Sequence, residues 1–358
     1  MTLSIEELGL TDIPFMDIGS LDPSSKDPRE NGRIFERKKA RPLVDRILGR
    51  MEFGETATYV SSRESIKGTG KSALMAAAYW RLHDDGKPAV WANALGSYTA
   101  TATIGRIFDA VISEGFLAAI QKRLGQVTHE RLYEIVEESY NKPSRALVDG
   151  LFKVLSQDEW QMTYKLANIK RSLLVFSPRD VFGYFLAILQ YVKIKRMYIF
   201  LDQFEDYIQA HQGSQALQRL SDDWRSMLEM FRGKASMAIT THPQAEQIIK
   251  GLPNYRLAPI TDESRVIVEP LSTDEGVELT RAYLSEFRVR NFKSNELAPF
   301  DRKSISFLST QTRGNPRALI GALRTALRIA AEQEVTLVDY EFVSSPRLRS
   351  AMVVASTP

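Results

Sequence analysis

Apolar runs alternate with polar breaks between residues 40 and 270 in a pattern that predicts a parallel α/β sheet. The apolar runs ATYVSS (57–62) and AVWANAL (89–95) flank a glycine-containing turn and a helix of small residues. Strand, glycine loop, helix and strand in this order are typical of the start of a parallel sheet. Further strands are predicted over MYIFLD (197–202), ASMAITT (235–241) and RVIVEPL (265–271), with helices between them.

Two stretches carry only helical periodicity. Residues 100–175 show no strand pattern, and we interpret them as a helical insertion in the sheet domain. After residue 272 the pattern is again helical, opened by a capping box at Ser272–Glu275 and continued by Leu279, Tyr283 and Phe287 at four-residue spacing. The predicted organisation is an extended segment (1–33), an α/β core (34–272) and a C-terminal helical lid (273–358).

Composition narrows the class of protein. Of 358 residues, 44% are hydrophobic and 25% are charged, which is ordinary for a folded globular chain and excludes disorder of the whole chain. No apolar run reaches the roughly 18 residues of a membrane span, and the N-terminus lacks a signal-peptide layout. The absence of cysteine excludes disulfides and thiol nucleophiles. We therefore predict a cytoplasmic protein with no membrane partner.

The loop after the first strand, Ser65-Ile66-Lys67-Gly68-Thr69-Gly70-Lys71-Ser72, has the composition of a phosphate-binding loop. Gly68 and Gly70 allow backbone N–H groups to wrap around a triphosphate, since they carry no Cβ. Lys71 is placed to reach the β and γ phosphates and Ser72 to bind Mg²⁺. Ser65 stands where the usual pattern has glycine. A chance glycine-rich turn is the alternative, which the flanking strand and helix disfavour. The predicted ligands are ATP and Mg²⁺, held by Gly68, Thr69, Gly70, Lys71, Ser72 and Ala73.

A second motif ends the strand Met197–Asp202. A hydrophobic strand that ends in Asp202 delivers a carboxylate to Mg²⁺ beside a phosphate loop. Many apolar strands end in aspartate, so this signal gains its weight from the glycine loop. Glu205 and Asp206 follow closely, and a plain surface helix start is the alternative for them.

The run Asp202-Gln203-Phe204-Glu205 resembles the Walker B motif of the AAA+ family, in the versions of STAND-type signalling ATPases and origin-recognition initiators. The resemblance spans about residues 34–345 and implies an AAA+ P-loop ATPase. Most AAA+ proteins have a glutamate directly after the aspartate, where this chain has Gln203. An amide orients water but cannot take its proton, so either Glu205 is the base or turnover is slow.

The same resemblance assigns two sensor positions. Thr241, in Thr240-Thr241-His242, falls at the polar "sensor 1" position near the γ-phosphate; a plain polar strand end is the alternative. Gly314-Asn315-Pro316-Arg317 resembles the sensor 2 motif, in which the arginine contacts nucleotide and makes the lid angle depend on ATP. The alternative for Arg317 is an ordinary proline-started helix.

Arg256 and Arg265 precede the fifth strand, where the family places an arginine finger. Ordinary surface arginines are the alternative. If either residue is a finger, the active site lies between subunits and the protein hydrolyses ATP only as an oligomer.

Ser72 and Asp202 are 130 positions apart, more than a compact AAA+ core needs, which supports the insertion. The chain also contains three groups of basic residues. For the first two groups a solvated face is the usual interpretation of a charge run, and DNA contact is the alternative. The third group could serve nucleotide, a neighbouring subunit or nucleic acid. The groups are Lys165, Lys170 and Arg171; Lys193, Lys195 and Arg196; and Arg317, Arg324 and Arg328 on the last long helix.

The predicted function is an ATP-driven AAA+ switch or motor that oligomerises with nucleotide and acts with DNA or with a DNA-processing or defence complex. Replication, transposition and anti-phage defence are implied by the resemblance alone. The alternative is a nucleotide-gated signalling scaffold with little turnover that recruits an effector protein, and Gln203 favours it. A small-molecule kinase is a third class, which the lid motif at Gly314–Arg317 opposes.

Overall fold

The chain folds into two compact units. The loop-and-lid unit combines Met1–Asp45, Ser61–Trp80 and Ile267–Pro358, and the sheet unit combines Arg46–Val60 and Arg81–Val266. The domain boundaries drawn from the sequence stay a prediction beside this division. The computed structural model describes residues 3–16, 21–35, 40–63, 67–94, 100–113, 120, 122, 124, 127–155, 177–209, 214–252, 258–290 and 295–355.

The five strands form a parallel sheet in the order β2-β3-β4-β1-β5. Its inner strands are near-continuous apolar runs because both faces of a parallel sheet are buried. All five predicted strands are confirmed, and the fifth stops before Pro270, which has no N–H to give to a ladder. The strands are β1 Ala57–Ser62, β2 Ala89–Asn93, β3 Met197–Asp202, β4 Ala235–Thr240 and β5 Arg265–Val268.

Nine α-helices precede β5 in the described part of the chain. They are α1 Arg41–Phe53, α2 Lys71–Asp84, α3 Ala100–Ser113, α4 His129–Glu137, α5 Arg145–Leu155, α6 Pro178–Tyr191, α7 Phe204–Gln209, α8 Ser214–Phe231 and α9 Pro243–Lys250. None of the helices in the described ranges is long and apolar enough to cross a membrane.

The predicted insertion contains the helices α3, α4 and α5, and its described residues 127–128 and 138–144 are turns or coil. Its residues 156–176 lie outside the described ranges. Ile104, Leu132 and Leu151 are buried in one hydrophobic core with the side chains of the sheet and of α6. The insertion is therefore built into the core of the sheet unit.

The lid is helical, as predicted. Its first helix starts at the predicted capping box, in which the Ser272 N–H donates to Glu275 Oε2 at 2.9 Å and the Ser272 hydroxyl caps the first turn. The predicted apolar stripe of Leu279, Tyr283 and Phe287 is buried. The lid helices are α10 Thr273–Glu286, α11 Arg302–Gln311, α12 Pro316–Glu332, α13 Tyr340–Ser344 and α14 Pro346–Ala355.

The N-terminal segment belongs to the core of the loop-and-lid unit. Phe15 is fully buried, with its ring centroid 5.8 Å from that of Tyr283 and 5.9 Å from that of Phe300. The Thr11 N–H donates to the carbonyl of Phe287 at 2.7 Å. A segment that reads as extended and polar in the sequence thus supplies apolar side chains to the lid.

Residues 21–35 contact the helix that follows the glycine loop. The indole N–H of Trp80 in α2 donates to the carbonyl of Asn31 at 2.7 Å, and the Arg33 guanidinium lies 3.7 Å from the centre of that indole ring. Gly32 has φ +79°, and a Cβ on it would lie 2.7 Å from the Cβ of Ala76. Glycine is therefore required at this close approach.

Arg29 holds the segment together from a nearly buried position. Its guanidinium bonds Asp27 at 2.6 Å, Asp12 at 3.0 Å and the carbonyl of Ile13 at 2.6 Å, and it lies 4.7 Å from the ring centre of Phe287. The hydrogen bond from Arg29 lowers the pKa of the Asp27 carboxyl below its ordinary value. These contacts make Arg29 the link between the segment and the end of α10.

Candidate functional site

The glycine loop leads directly into α2. Helix α2 begins at Lys71, and the Leu74 N–H donates to the carbonyl of Gly70 at 2.9 Å. Gly68 and Gly70 have φ of +83° and +95°, a region that side chains with a Cβ rarely adopt. The predicted binding loop therefore has the backbone shape that its glycines permit.

Polar groups in this loop are partly withdrawn from solvent. The Lys71 side chain is buried, with 9% of the residue exposed, whereas Lys67 is exposed and Ser72 and Ala73 are half-buried. The Thr69 hydroxyl is buried and has no hydrogen-bond partner among the described residues. A buried polar atom of this kind is usually satisfied by a ligand or by water. Ser65 lies outside the described ranges.

The Gly-Asn-Pro-Arg motif lies against the glycine loop within the loop-and-lid unit. The Arg317 N–H donates to the carbonyl of Gly68 at 3.3 Å, and the Asn315 side-chain amide donates to the carbonyl of Lys67 at 3.0 Å. A Cβ on Gly68 would lie 2.5 Å from the Cβ of Arg317 and 3.0 Å from Asn315 Oδ1. The loop and the start of α12 are therefore in direct contact, and only glycine fits between them.

Local sequence explains why the motif takes this position. The Asn315 side-chain oxygen caps α12 by accepting the Ala318 N–H at 3.1 Å, and Pro316 occupies the first helical position, where its missing N–H costs nothing. Gly314 has φ +69°, and its carbonyl accepts the Leu271 N–H at 2.8 Å. Asn315 thus uses one end of its amide for the helix and the other end for the loop.

The carboxylates that follow β3 belong to a hydrogen-bonded network in the sheet unit. Strand register pairs Asn93 with Asp202, and Asp202 is almost fully buried. The Gln203 N–H donates to Asp202 Oδ1 at 3.0 Å and to Thr240 Oγ1 at 2.8 Å. The Thr240 hydroxyl in turn donates to Glu205 Oε2 at 2.8 Å. A chain of three hydrogen bonds therefore connects the two predicted acids.

Gln203 has φ +57°, an uncommon conformation for a residue with a side chain. It turns the backbone sharply between β3 and α7. Phe204 anchors the turn, since it is 1% exposed and its ring centroid lies 5.1 Å from that of Trp224. The strained residue thus sits between the aspartate and the glutamate of the predicted Walker B motif.

Thr240 is a site residue that the sequence reasoning did not single out. The prediction named Thr241, whose hydroxyl lies 3.5 Å from the carbonyl of His242 and whose N–H bonds the carbonyl of Val60. Leu201 of β3 pairs with Ile239 of β4, so one further residue brings Asp202 and Thr240 side by side. The register of β3 and β4, which identifies Thr240 as the neighbour of Asp202, cannot be read from the sequence. The sensor role of Thr241 stays a prediction.

Arg265 is engaged in ion pairs within the sheet unit. It contacts Glu246 at 3.2 Å and Asp262 at 3.0 Å, and the Glu246 side chain is only 4% exposed. A finger role for Arg265 stays a prediction, and it would require the guanidinium to leave a buried carboxylate. Arg256 lies outside the described ranges.

The predicted basic groups have different environments. Lys193 and Lys195 are exposed, whereas Arg196 donates to the carbonyls of Met51 and Glu52 at 2.9 and 2.8 Å. Arg196 therefore satisfies carbonyls at the end of α1. Arg324 and Arg328 are exposed on α12. Lys165, Lys170 and Arg171 lie outside the described ranges.

The chain is similar in fold to two archaeal proteins, ORC2 and CDC6P. It matches the ORC2 protein of Aeropyrum pernix in ADPNP–ADP complexes with a TM-score of 0.54 and 12% identity, over 100% of this chain and 73% of that one. For the ADP form of the same protein the values are 0.53 and 11%, over 92% and 72%. CDC6P of Pyrobaculum aerophilum gives 0.50 and 13%, over 100% and 76%. No protein-family model and no curated protein matches the sequence. These likenesses confirm the predicted fold class as far as a parallel-sheet α/β core with a C-terminal helical region.

Proposed function

We propose that this protein binds ATP with Mg²⁺ in the loop Gly68–Ala73 and works as an ATP-hydrolysing AAA+ switch. The contact between the loop and the start of α12 carries the proposal. Because Asn315 and Arg317 are hydrogen-bonded to loop carbonyls, a change in the loop on nucleotide binding is passed to the lid helix. Many nucleotide switches work by forming such contacts in one nucleotide state and releasing them in the other.

The residues of the loop fit a triphosphate. Positive φ at Gly68 and Gly70 supports a backbone path that can present N–H groups to an anion, and the first turn of α2 adds its positive dipole end. Lys71 would contact phosphate, and the buried Thr69 hydroxyl is in need of a partner. Ser72 and Asp202 would hold Mg²⁺, which when bound neutralises phosphate charge.

Glu205 is the proposed general base. The Thr240 hydroxyl accepts the Gln203 N–H and directs its own hydrogen to Glu205, so the carboxylate is oriented by the strand beside it. Gln203 would position the attacking water through its amide, and the proton would pass to Glu205. Thr241 and Arg317 remain the proposed contacts to the γ-phosphate.

The binding step is tested by Lys71→Ala, with Lys67→Ala as the matched control. Both variants remove one ammonium from the same loop, and Lys67 is exposed. Loss of a charged partner to phosphate costs about 2 kcal/mol or more, which is at least about thirtyfold in affinity. Titration calorimetry with ATP and Mg²⁺ should show this loss for Lys71→Ala and little change for Lys67→Ala. Equal affinities for Lys71→Ala and the unaltered protein would overturn the proposal.

A scaffold with little turnover is the second candidate, and Gln203 in place of the usual glutamate favours it. Steady-state phosphate release separates the two functions. If Glu205 is the base, Glu205→Gln abolishes turnover while ATP affinity is kept, and Gln203→Glu raises turnover or leaves it unchanged. Absence of turnover in the unaltered protein, together with tight ATP binding, would favour the scaffold.

We further propose that the switch acts with DNA, in a DNA-processing or defence complex, through nucleotide-dependent oligomerisation. The sequence resemblance at the Walker and sensor motifs supports this step, and a cytoplasmic location remains the expectation from composition. Light scattering should show a larger particle with a non-hydrolysable ATP analogue than with ADP. Identical masses in both states would contradict the oligomer model.

A further inference from the structure

The exposed face of α12 carries a straight row of arginines. Arg317, Arg324 and Arg328 are spaced by seven and four residues, which places them within about 40° of one line along a helix. At the helical rise per residue, the row covers about 16 Å. All three side chains are exposed. The row starts at the glycine loop, where the Arg317 N–H bonds Gly68.

Between the arginines, the described positions Gly321 and Thr325 carry no large apolar side chain. Gly321 lies between the arginines, and nothing approaches within 4 Å of where its Cβ would be. Thr325 is half-buried beside it. The apolar residues of α12 face the lid core, namely Leu319, Ile320, Leu323, Ala326, Leu327 and Ala330. A partner can therefore come close to this face of the helix.

These properties select the kind of partner. The row is too long for the three arginines to serve one nucleotide. A protein interface is normally anchored by aromatic or aliphatic side chains, and this face has none among its described residues. Duplex DNA presents a charge about every 1.7 Å along its axis and is straight on this scale because of its long persistence length. A linear row of cations matches that surface.

We propose that Arg324 and Arg328, the part of the row beyond the glycine loop, bind the phosphate backbone of double-stranded DNA, while Arg317 at the inner end of the row is left to the γ-phosphate. This inference rests on the proposed ATP switch, because the row begins at the loop that would hold the nucleotide and the switch would control the DNA contact. It places the DNA partner on the lid, on residues outside the nucleotide loop. Backbone contacts carry no base information, so the binding is independent of sequence.

Glu332 supplies a second, opposite test. It pairs with Arg328 at 2.6 Å across one helical turn, and it ends the row. An exposed pair of this kind contributes little, so Arg328 can exchange it for phosphate. Glu332→Gln removes the competing carboxylate and is expected to tighten DNA binding about threefold, in line with one added phosphate contact.

The main test is the double variant Arg324→Ala/Arg328→Ala in the full chain. Its matched control is Arg219→Ala/Arg225→Ala on α8, which removes two exposed arginines, one of them also in an i,i+4 pair, with Glu229. Fluorescence anisotropy with a labelled duplex from 50 to 200 mM salt gives affinity and salt slope. The row variant should bind at least about tenfold more weakly at low salt, with a log–log slope smaller by about two. The control should bind like the unaltered protein.

The outcomes separate this inference from the ATP site. ATP affinity of the row variant should equal that of the unaltered protein, since Arg324 and Arg328 are not loop residues. Absence of duplex binding by the unaltered protein, or equal loss in the row variant and the control, would overturn the inference and leave ATP binding untouched. Tighter binding of single-stranded DNA or RNA than of duplex would also overturn it. So would a change in particle mass without a change in DNA affinity, which would assign the row to a neighbouring subunit.

Discussion

Replacing Gly68 by alanine tests the contact between the glycine loop and the lid motif without any nucleotide. The added Cβ would lie 2.5 Å from the Cβ of Arg317 and 3.0 Å from Asn315 Oδ1. Gly70→Ala is the matched control, because Gly70 also has positive φ but its Cβ would meet Pro316 Cγ only at 3.6 Å. The two variants share the backbone strain and differ in the collision with the start of α12.

The magnitudes follow from these distances. A residue with a side chain held at positive φ costs about 1–3 kcal/mol, and this cost applies to both variants. Overpacking of a close contact adds about 1–3 kcal/mol, and this addition applies to Gly68→Ala alone. We therefore expect Gly68→Ala to lower the free energy of unfolding by about 1–3 kcal/mol more than Gly70→Ala does.

A double-mutant cycle locates the collision. Arg317→Gly removes the Cβ that the added methyl group of Gly68→Ala would meet, whereas Arg317→Ala keeps it. Urea unfolding should therefore show rescue of Gly68→Ala by Arg317→Gly and none by Arg317→Ala. Hydrogen exchange of the amides of residues 317–332 reports the same contact locally. Equal stability of the Gly68 and Gly70 variants, or equal rescue by both Arg317 variants, would refute the reasoning.

Three further predictions concern the sheet unit and the N-terminal segment. Thr240→Val removes the hydroxyl that orients Glu205, and we expect ATP turnover to fall roughly tenfold while ATP affinity is kept. Arg265→Ala leaves the buried Glu246 without its cation, and we expect a loss of about 3 kcal/mol in urea unfolding. The folded pKa of Asp27 is lowered from 3.8, so its contribution to stability is present above that pH and is lost as the pH falls below it. Asp27→Asn should therefore lower the melting temperature at pH 7 and make it less sensitive to acid.

Each of these has a control. Thr241→Val should affect turnover less than Thr240→Val does, and the reverse order would restore Thr241 as the sensor. Glu246→Gln should rescue most of the stability lost in Arg265→Ala, since it removes the uncompensated charge. If Arg265→Ala is fully stable yet inactive, the residue acts as a finger. An unchanged acid profile for Asp27→Asn would contradict the assigned role of its ion pair.

Local pattern was sufficient for much of the fold. Strands β1 and β3 have the predicted bounds, because a strand that is buried on both faces of a sheet has a nearly continuous apolar sequence. The start of α12 was predictable because an asparagine cap and a proline at the first position mark a helix start. These are interactions between residues a few positions apart.

Side-chain partners across the fold were not predictable in the same way. The choice between Thr240 and Thr241 depends on which residue of β4 lies beside Asp202. A shift of one residue in strand register would move every side chain of the strand to the other face of the sheet. Glu246 and Arg265 are 19 positions apart, and no local pattern marks them as partners.

The packing of Phe15 against Tyr283 and Phe300 has a consequence for biosynthesis. Residues 3–16 are synthesised before the lid and find their apolar partners only after the chain has been made as far as Phe300. Until then Leu8, Leu10 and Phe15 are exposed, and contacts of such long sequence separation form slowly. A nascent chain stalled before the lid is complete should therefore be a preferred client of chaperones, and deletion of residues 3–16 should leave the finished lid prone to aggregate.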